Sequence, residues 1–393
     1  VDRRRIAVTL AGAAAFLTLY APQSLLPLLR SWLGHDAALA GLVISAGTFG
    51  VALAAPFAGM LADRFGRRRV IVSAAFLALI PTLLMAASPT PACLLAARFA
   101  EGIFLPGIFA VTVAYTADEW PAVQARGVTA LYVAGTVGGG FCGRLLAGVV
   151  GEFAGWRVAL LALAGMQFGV AWLIRRWLPQ EQRYREPAAV RTSPFELLRD
   201  PRLRGAYAAG FAILFALVGG FTYVTLRLAE PPFNLGPAAL SALFTVYLVG
   251  IVVTPMSGRI LNRLGHFRTL AIAWSVAVSG LLLTLAAHLP AIVVGLCLFS
   301  AAIFVAQTAA TSFVGEAAAH ARATAVGLYV TCYYLGGSVG GVLPAPLFEH
   351  FGWPGVVGLI ALAAAFSVTV ARRAFRLQPI AVVHHPEISA EAP

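Results

Sequence analysis

The sequence predicts an all-α integral membrane protein, with twelve transmembrane helices arranged as two pseudo-symmetric six-helix bundles. Three observations carry that prediction. Hydrophobic residues make up 60% of the chain and charged residues 11%, and a water-soluble globule of that make-up has too little polar surface to cover itself. Apolar runs of about 20 residues, the length that crosses a bilayer core, recur twelve times along the chain. The chain also repeats itself: the stretch from Gly59 to Arg69 returns as Gly258 to Arg268. A second block, with Leu131-Tyr132-Val133, Gly139-Gly140, Gly143, Glu152 and Gly155-Trp156, returns as Leu328-Tyr329-Val330, Gly336-Gly337, Gly340, Glu349 and Gly352-Trp353. Internal duplication in a membrane chain predicts two halves that rock about a shared central site.

Taken in order, the expected spans are residues 6–29, 37–61, 70–87, 92–116, 127–150, 157–178, 204–228, 238–261, 269–287, 291–315, 324–348 and 354–373. An even number of spans puts both termini on one side. All 28 basic residues are arginine; apart from Arg98 and Arg144 inside spans, only Arg30, Arg157 and Arg227 fall on the side away from the termini. The positive-inside rule therefore makes both termini cytoplasmic, as expected in a bacterial inner membrane. Residues 1–178 form the first bundle, 179–203 a cytoplasmic linker rich in arginine, glutamate and proline, 204–375 the second bundle, and 376–393 a mobile cytoplasmic tail. Asp2 and Arg3 to Arg5 precede an apolar run too long for a signal peptide, so the first helix is expected to remain as a span. The outer loops, such as 88–91 and 288–290, are too short for an external ligand-binding domain.

Composition also excludes functions. Without lysine there is no P-loop of the Gly-x-x-x-x-Gly-Lys type and no lysine Schiff base. The four cysteines, Cys93, Cys142, Cys297 and Cys332, fall in apolar segments without Cys-x-x-Cys spacing and are expected to be small packing residues. No metal site is evident. The net charge of +12 follows the membrane and argues for anionic lipids at the cytoplasmic face, not nucleic acid. An intramembrane hydrolase would need a nucleophile with a base, or paired carboxylates, at depth; neither is present, so the chain is not expected to be an enzyme.

The Gly-x-x-x-Asp-Arg-x-Gly-Arg-Arg pattern at Gly59, Asp63, Arg64, Gly66 and Arg67 resembles the signature loop of the major facilitator superfamily, and the resemblance covers essentially the whole chain. Within that family the chain looks like the twelve-span drug:proton antiporters of the arabinose-efflux-permease type. The resemblance implies that the loop after span two latches one conformation, with its arginines pairing to Asp118 or Glu119 at the end of span four. Gly59 and Gly66 are expected where the chain turns tightly or backbones approach. In the second copy, Gly258, Arg263, Gly265 and Glu316 occupy the matching places, although Asn262 replaces the aspartate. Arg98-Phe99-Ala100-Glu101-Gly102 resembles a family motif implicated in proton coupling, with Glu101 for the usual glutamine. Gly135 to Arg144 resembles the antiporter motif, with Gly140 for its proline and Arg144 for its last glycine.

Three ionisable residues lie deep in spans, where each costs about 2.5–3.5 kcal/mol on insertion scales, which marks them as functional candidates. Glu101 and Arg98 share one helix face, and Glu101 is the expected proton carrier, its hold on the proton set by its contacts with Arg98 or Arg144. The alternative is a static buried pair that stiffens span four. The resemblance implies a cavity lined by spans one, four, seven and ten. Its expected contacts are Tyr20, Gln23 and Ser24 in span one, Thr222, Tyr223 and Thr225 in span seven, Gln307, Thr308 and Thr311 in span ten, and Tyr333 and Tyr334 in span eleven. Such a mixture suits an amphipathic organic molecule, and two arginines against one glutamate favour a neutral or anionic one. The expectation is a monomeric secondary transporter that exchanges a small organic compound for protons by alternating access, with the proton gradient as energy source and no bound cofactor. Proton-coupled uptake of a sugar or organic anion is the alternative, and a transporter-like membrane sensor is the rival outside transport.

Overall fold

A computed structural model describes residues 2–182 and 193–375. The expected tail at 376–393 and the linker residues 183–192 lie outside them. Among the described residues every regular element is helical, and nine helices are long and apolar enough to cross a membrane. Two of these, Gly127–Trp177 with 51 residues and Pro237–Leu283 with 47, are far too long for one crossing, since 51 residues would rise roughly 75 Å. Each is divided by a glycine with left-handed backbone, Gly155 at φ 82° and Gly265 at φ 72°. Gly66 (φ 88°) separates spans two and three, and Gly352 (φ 62°) separates spans eleven and twelve. These four turns are the duplicated glycines of the two sequence repeats, Gly66 with Gly265 and Gly155 with Gly352. Only a residue without a Cβ takes this conformation at little cost.

The twelve spans follow. Span one is Arg3–Leu17 and Pro22–Trp32, two pieces with a break between them; span two is Ala37–Phe65; span three is Arg67–Leu77 and Leu79–Ala87; span four is Pro91–Glu119. Spans five and six occupy 122–154 and 156–177. A short helix, Pro194–Arg199, precedes span seven, Pro201–Ala229. Span eight begins as Pro237–Leu243, tightens into the 3-10 turn Phe244–Leu248 and runs on to residue 264; span nine is 266–283. Span ten is Leu289–Ala317. Span eleven is Arg322–Val342 and its continuation 345–351, and span twelve is 353–374. Starts are set by local chemistry: the Asp36 carboxylate accepts from the Ala38 and Leu39 amides at 2.7 and 3.0 Å, and Thr90 and Asp200 cap spans four and seven.

Within each bundle, small residues let helices touch at backbone distance. A Cβ on Gly143 of span five would collide with the Leu17 carbonyl of span one, and one on its repeat partner Gly340 of span eleven with the Phe215 carbonyl of span seven. The outer faces carry exposed Leu53, Phe57, Met60, Leu362 and Phe366, a surface suited to lipid and not to water. Cys93 and Cys142 are also exposed, so these two do not fill interior gaps as the sequence suggested.

The two bundles meet chiefly in the half of the molecule away from the termini. Among the described residues, the polar contacts that cross between bundles are the Arg30–Glu230 ion pair, the reciprocal Ser45 and Ser338 hydroxyl-to-carbonyl bonds, the Ala238 amide on Glu152 at 2.7 Å, and a long Gln23–Thr222 bond at 3.5 Å. All lie toward that face. Span two packs on span eleven there so closely that a Cβ on Gly41 would strike the Gly341 carbonyl. The molecule is shut on this side.

Candidate functional site

The site is built around the break in span one. Pro22 has no amide hydrogen, so the Thr18 carbonyl four residues earlier loses its helical partner; the Gln23 amide turns to Tyr20 instead, leaving the Leu19 carbonyl free as well. Arg98 of span four fills both vacancies, donating Nη1 to Thr18 O at 3.4 Å and Nη2 to Leu19 O, and its Nε reaches Val43 O of span two at 3.0 Å. Gly47 makes the room: a Cβ there would touch the guanidinium. Arg98 also pairs with Glu101, and the other Glu101 oxygen accepts the Thr82 hydroxyl at 3.0 Å. Both charged residues are fully buried, inside the first bundle and not at its lipid face.

On the other side of the break lies a central cavity of about 300 Å³ between the bundles. Among the described residues, Arg144 of span five is the one charged side chain in its lining. Arg144 is 4% exposed, and its guanidinium holds the Gln23 amide oxygen with Nε and Nη2 at 3.1 and 2.8 Å, while Nη1 bonds Gly140 O at 3.0 Å. Its Cζ lies over the rings of Tyr20, Phe244 and Tyr247, 4.6–5.1 Å from their centroids. Arg144 thus joins Gln23 and stands apart from Glu101.

Of the residues proposed for the cavity, Tyr20, Gln23, Gln307, Tyr333 and Tyr334 line it. The others are committed elsewhere or lie behind it. Thr225, Thr308 and Thr311 bond carbonyls one turn back on their own helices, and Tyr223 bonds Gly341 O at 2.8 Å. Thr222 sits behind Gln23, and Ser24 is buried without a hydrogen-bond partner. The lining also draws on spans five and eight beyond the four expected, through Thr136, Arg144 and Tyr247. Tyr247 was missed although a phenol within a span is the same kind of signal as Tyr20.

The duplicated loops each bring a basic side chain to a carboxylate at the end of span four or span ten of the same bundle. Arg67 pairs with Asp118 and donates to Ala114 O at 2.7 Å. Glu119 is engaged by Arg4 at 3.2 Å and by the Gln182 amide at 2.7 Å. In the second bundle His266 stands where Arg67 stands in the first, and its Nε2 lies 3.3 Å from Glu316. The repeat offset marks this residue, yet a histidine in place of an arginine hid it. Asp63, Arg64 and Arg263 are exposed and form no ion pair among the described residues. Gly59 and Gly258 lie inside helices with open space where a Cβ would go, so neither serves the tight turn or close approach that the motif suggested; only Gly66 and Gly265 turn the chain.

Comparison with known proteins agrees with this architecture. The family model described as Major Facilitator Superfamily matches residues 8–341 and 232–390. The Escherichia coli (strain K12) inner membrane transport protein YnfM is 33% identical over 379 residues, 95% of this chain and 91% of that protein. The uncharacterized MFS-type transporter YybF of Bacillus subtilis (strain 168) is 28% identical, covering 89% and 88%. Among solved structures, a bacterial homologue of the human lysosomal transporter Spinster shares the fold with a TM-score of 0.75 at 15% identity, over 94% of this chain and 95% of that one. The human organic anion transporter MFSD10 does so with a TM-score of 0.69 at 21% identity, over 94% and 99%.

Proposed function

Given that this chain belongs to the major facilitator superfamily and is a membrane transporter, we propose that it exports a small amphipathic organic compound in exchange for protons by alternating access. What supports this is the two-sided grip on the broken turn of span one. Arg98, paired with Glu101, holds the Thr18 and Leu19 carbonyls from inside the bundle, while Arg144 holds Gln23 from the cavity. The same six residues, Thr18 to Gln23, therefore feel both the protonation of Glu101 and the occupancy of the cavity.

Protonation of Glu101 removes the counter-charge of Arg98, and the guanidinium is then held only by carbonyls. The turn that carries Tyr20 and Gln23 shifts with it, and the cavity's affinity changes. In the antiport cycle a proton on Glu101 and a compound on Arg144 and its rings take turns, each favouring a different closure of the bundles. The arginine distribution supports cytoplasmic termini in the inner membrane; on that orientation the shut face is the outer one, and the structure is an inward-facing state. The unpaired face of the bundles then receives the compound from the cytoplasm.

Proteoliposomes loaded with a pH-sensitive dye test this. Addition of a bound compound should drive proton flux in the wild type under an imposed gradient, and Glu101→Gln should lose that flux while keeping compound-for-compound exchange. Full proton-coupled movement in Glu101→Gln refutes Glu101 as carrier. Accumulation with an inward proton gradient, and not against it, would make the protein an uptake symporter instead.

A further inference from the structure

We propose that the transported compound is an organic anion, a carboxylate carried on a compact aromatic or branched apolar body, and that Arg144 is the residue that selects it. The inference rests on the transport reading, because it takes the central cavity as the transport site.

A buried cation is ordinarily paired. Arg98 meets that rule through Glu101, so the two cancel. Arg144 does not: its polar partners are a neutral amide oxygen and a backbone carbonyl, and its remaining neighbours are rings. No acidic side chain lines the cavity among the described residues, so the chamber carries one uncompensated positive charge. Three N–H bonds are accounted for, whereas a guanidinium offers five donors; the two left over lie on a residue that lines the cavity. Gln23 and the flanking rings of Tyr20 and Tyr247 hold the guanidinium in place, so it meets a carboxylate already oriented.

The surroundings define the rest of the ligand. Phe16, Phe109 and Tyr334 face the same space, and Phe109 of the first bundle stacks on Tyr334 of the second with centroids 5.8 Å apart. A volume of about 300 Å³ lies at the small end of ligand sites, and since a cavity of about half that volume holds one benzene ring, it suits a body of one or two rings. A cationic compound would meet like charge, and a neutral one would leave the arginine uncompensated. An anion cancels the charge, so a loaded cavity is closed away from water more readily than an empty one.

The test uses purified protein in nanodiscs and three probe sets, each an aromatic carboxylate with its amide and its amine: benzoate, 3-phenylpropanoate and 1-naphthoate. Thermal stabilisation is expected with carboxylates and not with amides or amines. Arg144→Gln should weaken carboxylate binding at least tenfold, and Arg144→Lys should retain part of it. Gln23→Glu places a carboxylate on the intact arginine and should abolish anion binding by internal pairing, which keeps the test sound if Arg144→Gln does not fold. Preference for amines, undiminished carboxylate binding in folded Arg144→Gln or Gln23→Glu, or failure of every carboxylate to bind overturns the inference. Proton-driven flux of amines or amides would overturn it while leaving transport intact. Arginine-dependent carboxylate binding without flux in proteoliposomes would support the anion site and refute the transport cycle.

Discussion

At the scale of single residues, the most consequential contact is a helix defect filled by a side chain from another helix. Arg98 satisfies two carbonyls that Pro22 and its neighbours leave free, so it is a structural plug as well as a partner for Glu101. Removing one member of a buried ion pair costs about 3–5 kcal/mol, whereas replacing both by apolar groups of similar volume is often near neutral. Arg98→Ala is therefore expected to lower stability to chemical unfolding by that amount, and Arg98→Met with Glu101→Leu to recover a large part of it. If the folded double variant still moves protons with its compound, the pair only stiffens span four and the proton is carried elsewhere. Burial of Arg98 and Glu101 was legible in the sequence, because an ionisable residue in an apolar run stands out. The carbonyls it serves were not, since a backbone vacancy leaves no mark on residue identity except the proline beside it. The same limit explains why Thr225, Thr308 and Thr311 were overestimated: a threonine in a span can spend its one hydroxyl donor on its own helix one turn back and leave none for a ligand.

At the scale of elements, duplicated glycines divide into two kinds that the motif alone does not separate. Gly155 turns the chain between spans five and six with left-handed backbone and no atom near its missing Cβ, while Gly59 lies within a regular helix with equally open space. Gly155→Ala should cost about 1–3 kcal/mol through backbone strain alone, because φ 82° with ψ 165° is a region essentially only glycine occupies, and Gly59→Ala should stabilise by about 0.5–1 kcal/mol through helix propensity. Melting temperatures in detergent should move in opposite directions; a shift of the same sign in both would contradict the assignment of the turn. The spans themselves could be read from hydropathy because lipid demands long uninterrupted apolar runs. Two spans, one and eight, are broken within. Neither break interrupts hydropathy; Pro22, which lacks an amide hydrogen, marks the one in span one, whereas the 3-10 turn at Phe244–Leu248 carries no such residue and could not be read.

At the scale of the whole molecule, two bundles of one ancestry close on each other at one face. The repeat predicted the pseudo-symmetry and the place of Glu316 opposite Asp118, but not His266, which lies 3.3 Å from Glu316 where Arg67 pairs with Asp118 in the first bundle. Which face would be closed was not written in the sequence, because alternating states share every residue. With Cys93, Cys142, Cys297 and Cys332 replaced by alanine, Ser45→Cys with Ser338→Cys should form a cross-link between spans two and eleven that arrests transport until reductant is added. Undiminished flux at complete cross-linking would mean that this face never opens. The seam itself implies how it parts. Where Gly41 meets Gly341, main chain rests on main chain, and such a joint has no rotamers through which to yield by degrees. The lobes must come apart there as stiff bodies, in a single abrupt step, so a half-parted intermediate should be too scarce to trap.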